Sequence, residues 1–356
     1  MFDVVNRESS DYYLVGYYPD NTEQRGRLRR LRVRVQQKGL KVSHQRGYYE
    51  ERPFERMSRS ERNLRMHQAL LFDTPYADLP IQVGHEFFRD SKGAPSLVYS
   101  VGLHTSDLPA HATKKGQSVK LTVIARAFPS DSDEDQRQQP SIDERRFQMT
   151  LPDAEFERLS TDPIALLHYG SQMPLAPGLY DWKVVVRDDQ SGALGSYQTQ
   201  LRVPELSGEL GASSLLLTSR IEDIGQGTKR NAAKNLPEDV LRVAGSRFYT
   251  SAEKVFRRGD SIYLLYDVYN PSEHSLSNPA GPKLALYRGR ERVEQLPATG
   301  HQTVAQPEAA RIRYLAALAT NDLDAGEYTV VAMLPSQSEM RPVIYRKFRV
   351  VDADPD

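Results

Sequence analysis

The chain has 356 residues, enough for about two domains at roughly 150 residues each. Its 47 Lys and Arg balance 47 Asp and Glu, so no global field draws it to nucleic acid or an anionic membrane. It has no cysteine, which excludes disulfides, thiolate metal sites, iron–sulfur clusters and cysteine nucleophiles together.

Charge is uneven along the chain. Residues 1–70 hold fifteen Arg and Lys against nine Asp and Glu, a local excess of six positive charges. The opening residues lack the basic start and apolar run of a secretory signal, and no apolar stretch approaches the about eighteen residues of a bilayer-spanning helix. Tyr12 to Tyr17 (YYLVGY) reads as a strand apolar on both faces. Arg30, Arg32 and Arg34 then alternate with Leu31, Val33 and Val35, the period of a strand with one wet and one buried face. No aromatic residue alternates with these arginines, so they are expected to form a solvated, edge-protecting face rather than a nucleic-acid surface. Short segments at Leu40 to Val42 and Gly47 to Tyr49 close this unit.

Pro53 to Phe72 is expected to be helical. Ser58 and Glu61 have the spacing of a capping box, Leu64, His67, Leu70 and Leu71 share a face, and Thr74-Pro75 ends the run. After Asp78 the pattern becomes short strands: Ile81–Arg89, Leu97–His104, Val119–Phe128, Arg146–Leu151, Ala165–Gly170, Tyr180–Arg187 and Tyr197–Val203. Strands spaced in this way, with no long helix among them, predict an antiparallel sandwich. The acidic stretch Ser130 to Pro140 reads as a loop.

The pattern then repeats. Leu175-Ala-Pro-Gly178-Leu-Tyr180 and Leu323-Asp-Ala-Gly326-Glu-Tyr328 share one spacing, with the tyrosines 148 residues apart, and Leu201-Arg-Val203 and Phe348-Arg-Val350 follow at matching distances. A period of this length fits two sandwiches in tandem, joined near Pro204 to Ala212. Gly178 and Gly326 would permit tight turns, and Tyr180 and Tyr328 would form tyrosine corners, ring in the core and hydroxyl returned to the backbone. Trp182, the single tryptophan, is expected in the core.

Fragments of catalytic motifs stay incomplete. His85-Glu86 begins a zinc-protease pattern, but Arg89 stands where the second histidine belongs. Ser251-Ala-Glu-Lys254 has S-x-x-K spacing without its partner motifs. Gly225 to Lys229 lacks the order of a phosphate loop. Asp188, Asp189 and Ser191 resemble part of a D-x-S-x-S ion site, with Ala193 at the second serine, and are read as a hairpin turn. No catalytic, cofactor or metal residue is assigned.

Ser10-Asp-Tyr-Tyr-Leu-Val-Gly-Tyr-Tyr-Pro19, followed by Arg29 to Val35, Gly39 to Val42 and Arg46-Gly-Tyr-Tyr49, resembles the end of the von Willebrand factor A-related proteins abundant in acidobacteria. The resemblance covers about the first 80 residues and continues loosely through Pro177 to Pro204. It implies that 1–52 is the C-terminal remnant of an A-type domain, that the ion-site residues lie upstream of this sequence, and that the protein is exported. The expectation is therefore a mainly β, non-enzymatic chain: A-domain remnant (1–52), linker helix (53–77) and two immunoglobulin- or fibronectin-like sandwiches (78–205 and 212–352). It would bind another protein, or act as a scaffold, at the cell envelope, with no nucleic acid and no cofactor. The alternative is a carbohydrate-binding sandwich using Tyr48-Tyr49, Tyr263 or Tyr266 as stacking platforms.

Overall fold

The computed structural model describes residues 28–35, 44, 46–49, 52–72, 74–109, 111–130, 140–162, 165–206, 211–223, 241–243, 246–269, 283–296, 300–304, 310–335 and 340–352. The segments expected at Tyr12–Tyr17 and Leu40–Val42, the loop at Gly225–Lys229 and nearly all of the acidic stretch lie outside these residues. The chain divides into two compact units, Met1–Leu64 and Arg65–Asp356.

In the first unit, β1 (Leu28–Arg30) pairs antiparallel with β2 (Gly47–Tyr49). The expected alternation beyond it is corrected. The strand ends at Arg30, and Val33 and Val35 are 47% and 46% exposed alongside exposed Arg30, Arg32 and Arg34. Among the described residues no apolar layer lies against the two valines, so the period has no buried face to segregate. The capping box is formed. Ser58 N donates to Glu61 Oε2 at 2.7 Å and Glu61 N to Ser58 Oγ at 3.2 Å. The backbone bond from Ser58 to the ionised carboxylate, with its side chain assisting, holds the Glu61 pKa below its usual value. The capping box starts α1 (Arg59–Leu71).

The apolar face of α1 differs from the one expected. Leu64, His67 and Leu71 are exposed, while Leu70 is buried as expected and is joined by Met66 and Ala69, against Ile124, Val185 and Leu194. Burial of Met66 and Leu70 contributes about 2 kcal/mol each.

The first sandwich comprises β3 (Gln82–Arg89), β4 (Pro95–Leu103), β5 (His111–Thr113), β6 (Gly116–Pro129), β7 (Ser141–Leu151), a helix α2 (Asp153–Thr161), β8 (Leu167–Pro174), β9 (Gly178–Asp188) and β10 (Leu194–Val203). Strands β3-β4-β8 form one sheet, and β10-β9-β6, with β5 and β7 also on β6, form the other. Between them lies a core around Trp182, Tyr99, Leu97, Leu121 and Val184. The run Val184-Val185-Val186 is apolar on both faces because Val184 and Val186 face this core while Val185 faces α1. A nine-residue helix, α2, interrupts a stretch read from sequence as strands alone.

The second sandwich follows as β11 (Gly211–Ala212), β12 (Leu216–Thr218), a three-stranded insertion of β13 (Ile221–Asp223), β14 (Arg242–Val243) and β15 (Ser246–Phe248), then β16 (Val255–Arg257), β17 (Ser261–Tyr269), β18 (Lys283–Arg288), β19 (Glu291–Leu296), β20 (Gly300–Val304), β21 (Arg311–Ala319), β22 (Gly326–Pro335) and β23 (Met340–Val351). One sheet runs β11-β17-β21-β20, with β12 also on β17, and the other β16-β23-β22-β18-β19. β16 pairs parallel to the last strand. This is the strand order of immunoglobulin-like sandwiches, with A, B, E and D on one side and G, F, C and C′ on the other. The molecule is mainly β, and the two sandwiches each have a core and lie in one compact unit.

The repeat has a structural basis. Tyr180 pairs directly with Leu201, and Tyr328 with Phe348, while Gly178 and Gly326 pair with Val203 and Val350. Both glycines have φ of +154°, a conformation that other residues rarely adopt.

Candidate functional site

The densest set of buried polar groups lies where the two sandwiches meet. Strand β3 alternates faces: His85 packs edge-on to Trp182 at 5.5 Å, inside the first sandwich, so Glu86 points the other way, toward the second. Glu86 is 1% exposed. Lys254 Nζ lies 3.2 Å from its Oε1, and the Arg346 guanidinium on β23 donates to its Oε2. Burial holds the Lys254 pKa below the usual lysine value, and Glu86 opposes that shift. His85 is likewise held low by burial, with the neighbouring Glu86 raising it and the Lys254 and Arg346 charges lowering it further.

Backbone groups of β3 are covered in the same way. Ser214 N donates to Phe87 O at 2.9 Å, Phe87 N to Ser214 Oγ at 3.0 Å, and Arg89 N to Tyr269 Oη at 2.7 Å. Thr250 reaches across twice, N–H to Ser100 Oγ at 3.0 Å and Oγ1–H to Gly84 O at 3.1 Å. Gly84 makes that approach possible, since a Cβ there would sit 2.6 Å from the carbonyl carbon of Ser251. Phe88 and Val98 of the first sandwich form one apolar cluster with Leu216, Phe248 and Leu265 of the second.

Two further ion pairs flank the junction. Arg257 forks onto Asp162 at 2.7 and 2.6 Å, tying β16 to the end of α2. Asp267, fully buried, takes a bidentate bond from its cross-strand neighbour Arg313 at 2.6 and 2.7 Å. Arg311, 3.8 Å from the same carboxylate, donates to Asp90 O at 3.3 Å.

A cleft of about 100 Å³ opens at this junction, lined by Gln82, His168, Ser219, Arg220, Glu253 and Asp260. Ligand pockets commonly measure about 300–1,000 Å³, so this one has room for a few waters or a very small polar group. Burial, aided by the Arg220 charge, lowers the His168 pKa to about 4, so the imidazole is neutral near pH 7.

The residues singled out in the sequence are dispersed. The Tyr328 hydroxyl donates to Asp324 O at 2.9 Å and its ring stacks on Phe348, the geometry of a tyrosine corner. Tyr180 is corrected: it is buried, but its hydroxyl has no hydrogen-bond partner among the described residues. Ala176-Pro177 occupies the loop where Asp324-Ala325 stands in the other copy. Arg30, Arg32 and Arg34 lie exposed in the first unit, and the junction groups belong to the second. Asp188 Oδ1 accepts from Gln190 N and Ser191 N, and Asp189 is held by Thr122 and Arg187, so both acids serve the hairpin. Tyr266 is stacked inside the core on Tyr314, out of reach of a sugar, and Tyr263 is half-buried with its ring packed edge-on to Phe248.

Sequence reasoning missed the junction, although two of its fragments touched it. His85-Glu86 and Ser251 to Lys254 each carry part of a separate catalytic motif. They meet here, with Lys254 Nζ on Glu86 and on the Ser251 carbonyl rather than on the Ser251 hydroxyl.

No family model and no curated protein matches the chain. Among solved structures it is similar to the C-terminal domain of the antigen I/II-family protein AspA of Streptococcus pyogenes, at 10% identity over 76% of this chain and 99% of that one, with a TM-score of 0.19. The C-terminal domain of the antigen I/II polypeptide BspA of Streptococcus agalactiae scores alike, at 10% identity over 76% and 99%, with a TM-score of 0.19. Likeness at that level carries no argument, and the fold rests on the strand order above.

Proposed function

We propose that the chain is a non-enzymatic protein-binding or scaffolding module, carried at the cell envelope by an exported protein of the von Willebrand factor A-related kind. The observation that carries this reading is the junction. Its acids and bases, the buried Glu86 with the partly exposed Lys254 and Arg346, and the partly exposed Asp162 with Arg257, bind one another across the two sandwiches. They hold two binding-type domains in one fixed arrangement. What such a body offers a partner is its outer sheet faces, loops and strand edges, as sandwich domains generally do. The sequence resemblance of the first 80 residues supports the envelope setting, and among the described residues no helix is long and apolar enough to cross a membrane.

The test is binding of the purified chain to isolated cell envelopes from the source organism. The expected result is saturable binding that is lost when the envelopes are digested with protease and kept when their glycans are oxidised with periodate. Loss on periodate alone would replace this reading with the carbohydrate-binding one. No saturable binding would refute both.

A further inference from the structure

The sheet edges of the first sandwich are treated unequally. β3 is covered by the second sandwich through Ser214, Tyr269 and Thr250. β10 is bridged at Gly195 by Ala77, with Leu79 N donating to Leu194 O. β7 is different. It pairs with β6 over eleven consecutive residues without a register shift, contains no proline, and its other edge has no strand partner among the described residues. A long edge without proline or register shift is a template for another strand whose charges match the run Asp143 to Arg146 that guards it.

We infer that β7 is a self-association edge, and that its occupant is β7 of a second copy of this chain, paired antiparallel about a two-fold axis at Arg145. The strand's own charges select that occupant and that register. Burial alternates along β7, leaving Ile142, Glu144, Arg146, Gln148 and Thr150 on the open face. Centred on Arg145, the pairing sets Glu144 opposite Arg146 of the second copy, twice by symmetry, and Ile142 opposite Gln148, also twice. Directly opposed charges of unlike sign are favourable cross-strand pairs. Moving the axis one residue either way sets Glu144 against Glu144 or Arg146 against Arg146. On the core-facing side Arg145 meets its own copy, but each Arg145 already carries Asp143 at 2.8 Å. Asp143 is itself anchored by Tyr99 at 2.8 Å and Ser171 at 2.6 Å, which fixes the strand for pairing.

The test is sedimentation velocity on the full chain and on Glu144→Arg, Arg146→Glu and the double variant carrying both. The two side chains are exposed, and circular dichroism verifies that each variant keeps its fold. Wild type is expected to dimerise in the micromolar range. Each single reversal, which turns two attractive pairs into two repulsive ones, is expected to weaken the dimer by about ten-fold or more, and the double variant to restore it. A wild type that stays monomeric throughout that range overturns the inference, leaving the edge to another protein or to none. So does a dimer of equal strength in all four proteins, which would place the contact elsewhere.

Discussion

Replacing Glu86 by Gln removes the negative charge that pairs with Lys254 and Arg346 while keeping the side chain's shape. Breaking a fully buried ion pair from one side costs about 3–5 kcal/mol, because the other charge stays buried without compensation. The side chain of Arg346 is 34% exposed and can recover water, whereas that of Lys254 is 15% exposed and cannot do so fully. The expected loss is therefore about 2 kcal/mol, below the full penalty. It is measured by urea unfolding followed through two signals: far-UV circular dichroism for the whole chain, and fluorescence of Trp182, the single tryptophan, which is fully buried in the first sandwich. Because Glu86 belongs to one sandwich and Arg346 to the other, both signals are expected to move to lower urea together. The pH response supplies a second check. Burial already holds Lys254 low, and without Glu86 to oppose that shift it falls further. Between that depressed value and 10.5 the unfolded chain binds more protons than the folded one, so the variant is expected to gain stability as pH rises toward 10.5, more than wild type does. A loss below about 0.5 kcal/mol, the level of an ordinary surface substitution, would refute the account of the junction as an ionic lock.

Three other outcomes are expected. His168, with a folded pKa near 4 against 6.5 when free, makes the unfolded chain bind more protons as pH falls below about 6.5. Stability is expected to drop by about 2 kcal/mol by pH 5, and His168→Gln to flatten that slope in unfolding curves taken from pH 7 to 4. Tyr328→Phe is expected to cost about 1 kcal/mol for the lost bond to Asp324 O, while Tyr180→Phe leaves the unfolding midpoint unchanged. Equal effects in the two variants would contradict the geometry. Gly178→Ala and Gly326→Ala are each expected to cost about 1–3 kcal/mol from backbone strain at φ +154°, read as a lower thermal midpoint.

The strands were legible wherever their own side chains carried the period. Leu97, Tyr99 and Val101 on β4 and the valines of β9 announce themselves, and the paired Gly-x-Tyr turns foretell the cross-strand partners Leu201 and Phe348. What stayed hidden depends on neighbours distant in sequence. Glu86 is an ordinary strand residue until Lys254 and Arg346 are brought to it. The start of β7, Ser141 to Arg145, is too charged to read as a strand because its inward acid, Asp143, is satisfied by Tyr99 and Ser171 rather than by water. On α1 the sequence suggests the face of Leu64, His67, Leu70 and Leu71, and the structure uses a neighbouring face that shares only Leu70 with it. Ile124, Val185 and Leu194 select Met66, Ala69 and Leu70, and nothing within the helix distinguishes the two.

The covering of β3 bears on how such a piece of chain can be inherited. Were the first sandwich copied alone into another protein, Phe88 and Val98 would face water and the outer groups of Phe87 and Arg89 would be left open, an invitation to aggregate. The second sandwich would lose the counter-charge of Arg346 in the same cut. The smallest portion that can move between genes and still fold is thus the pair with its covering helix, and a shuffled descendant should carry both sandwiches or neither.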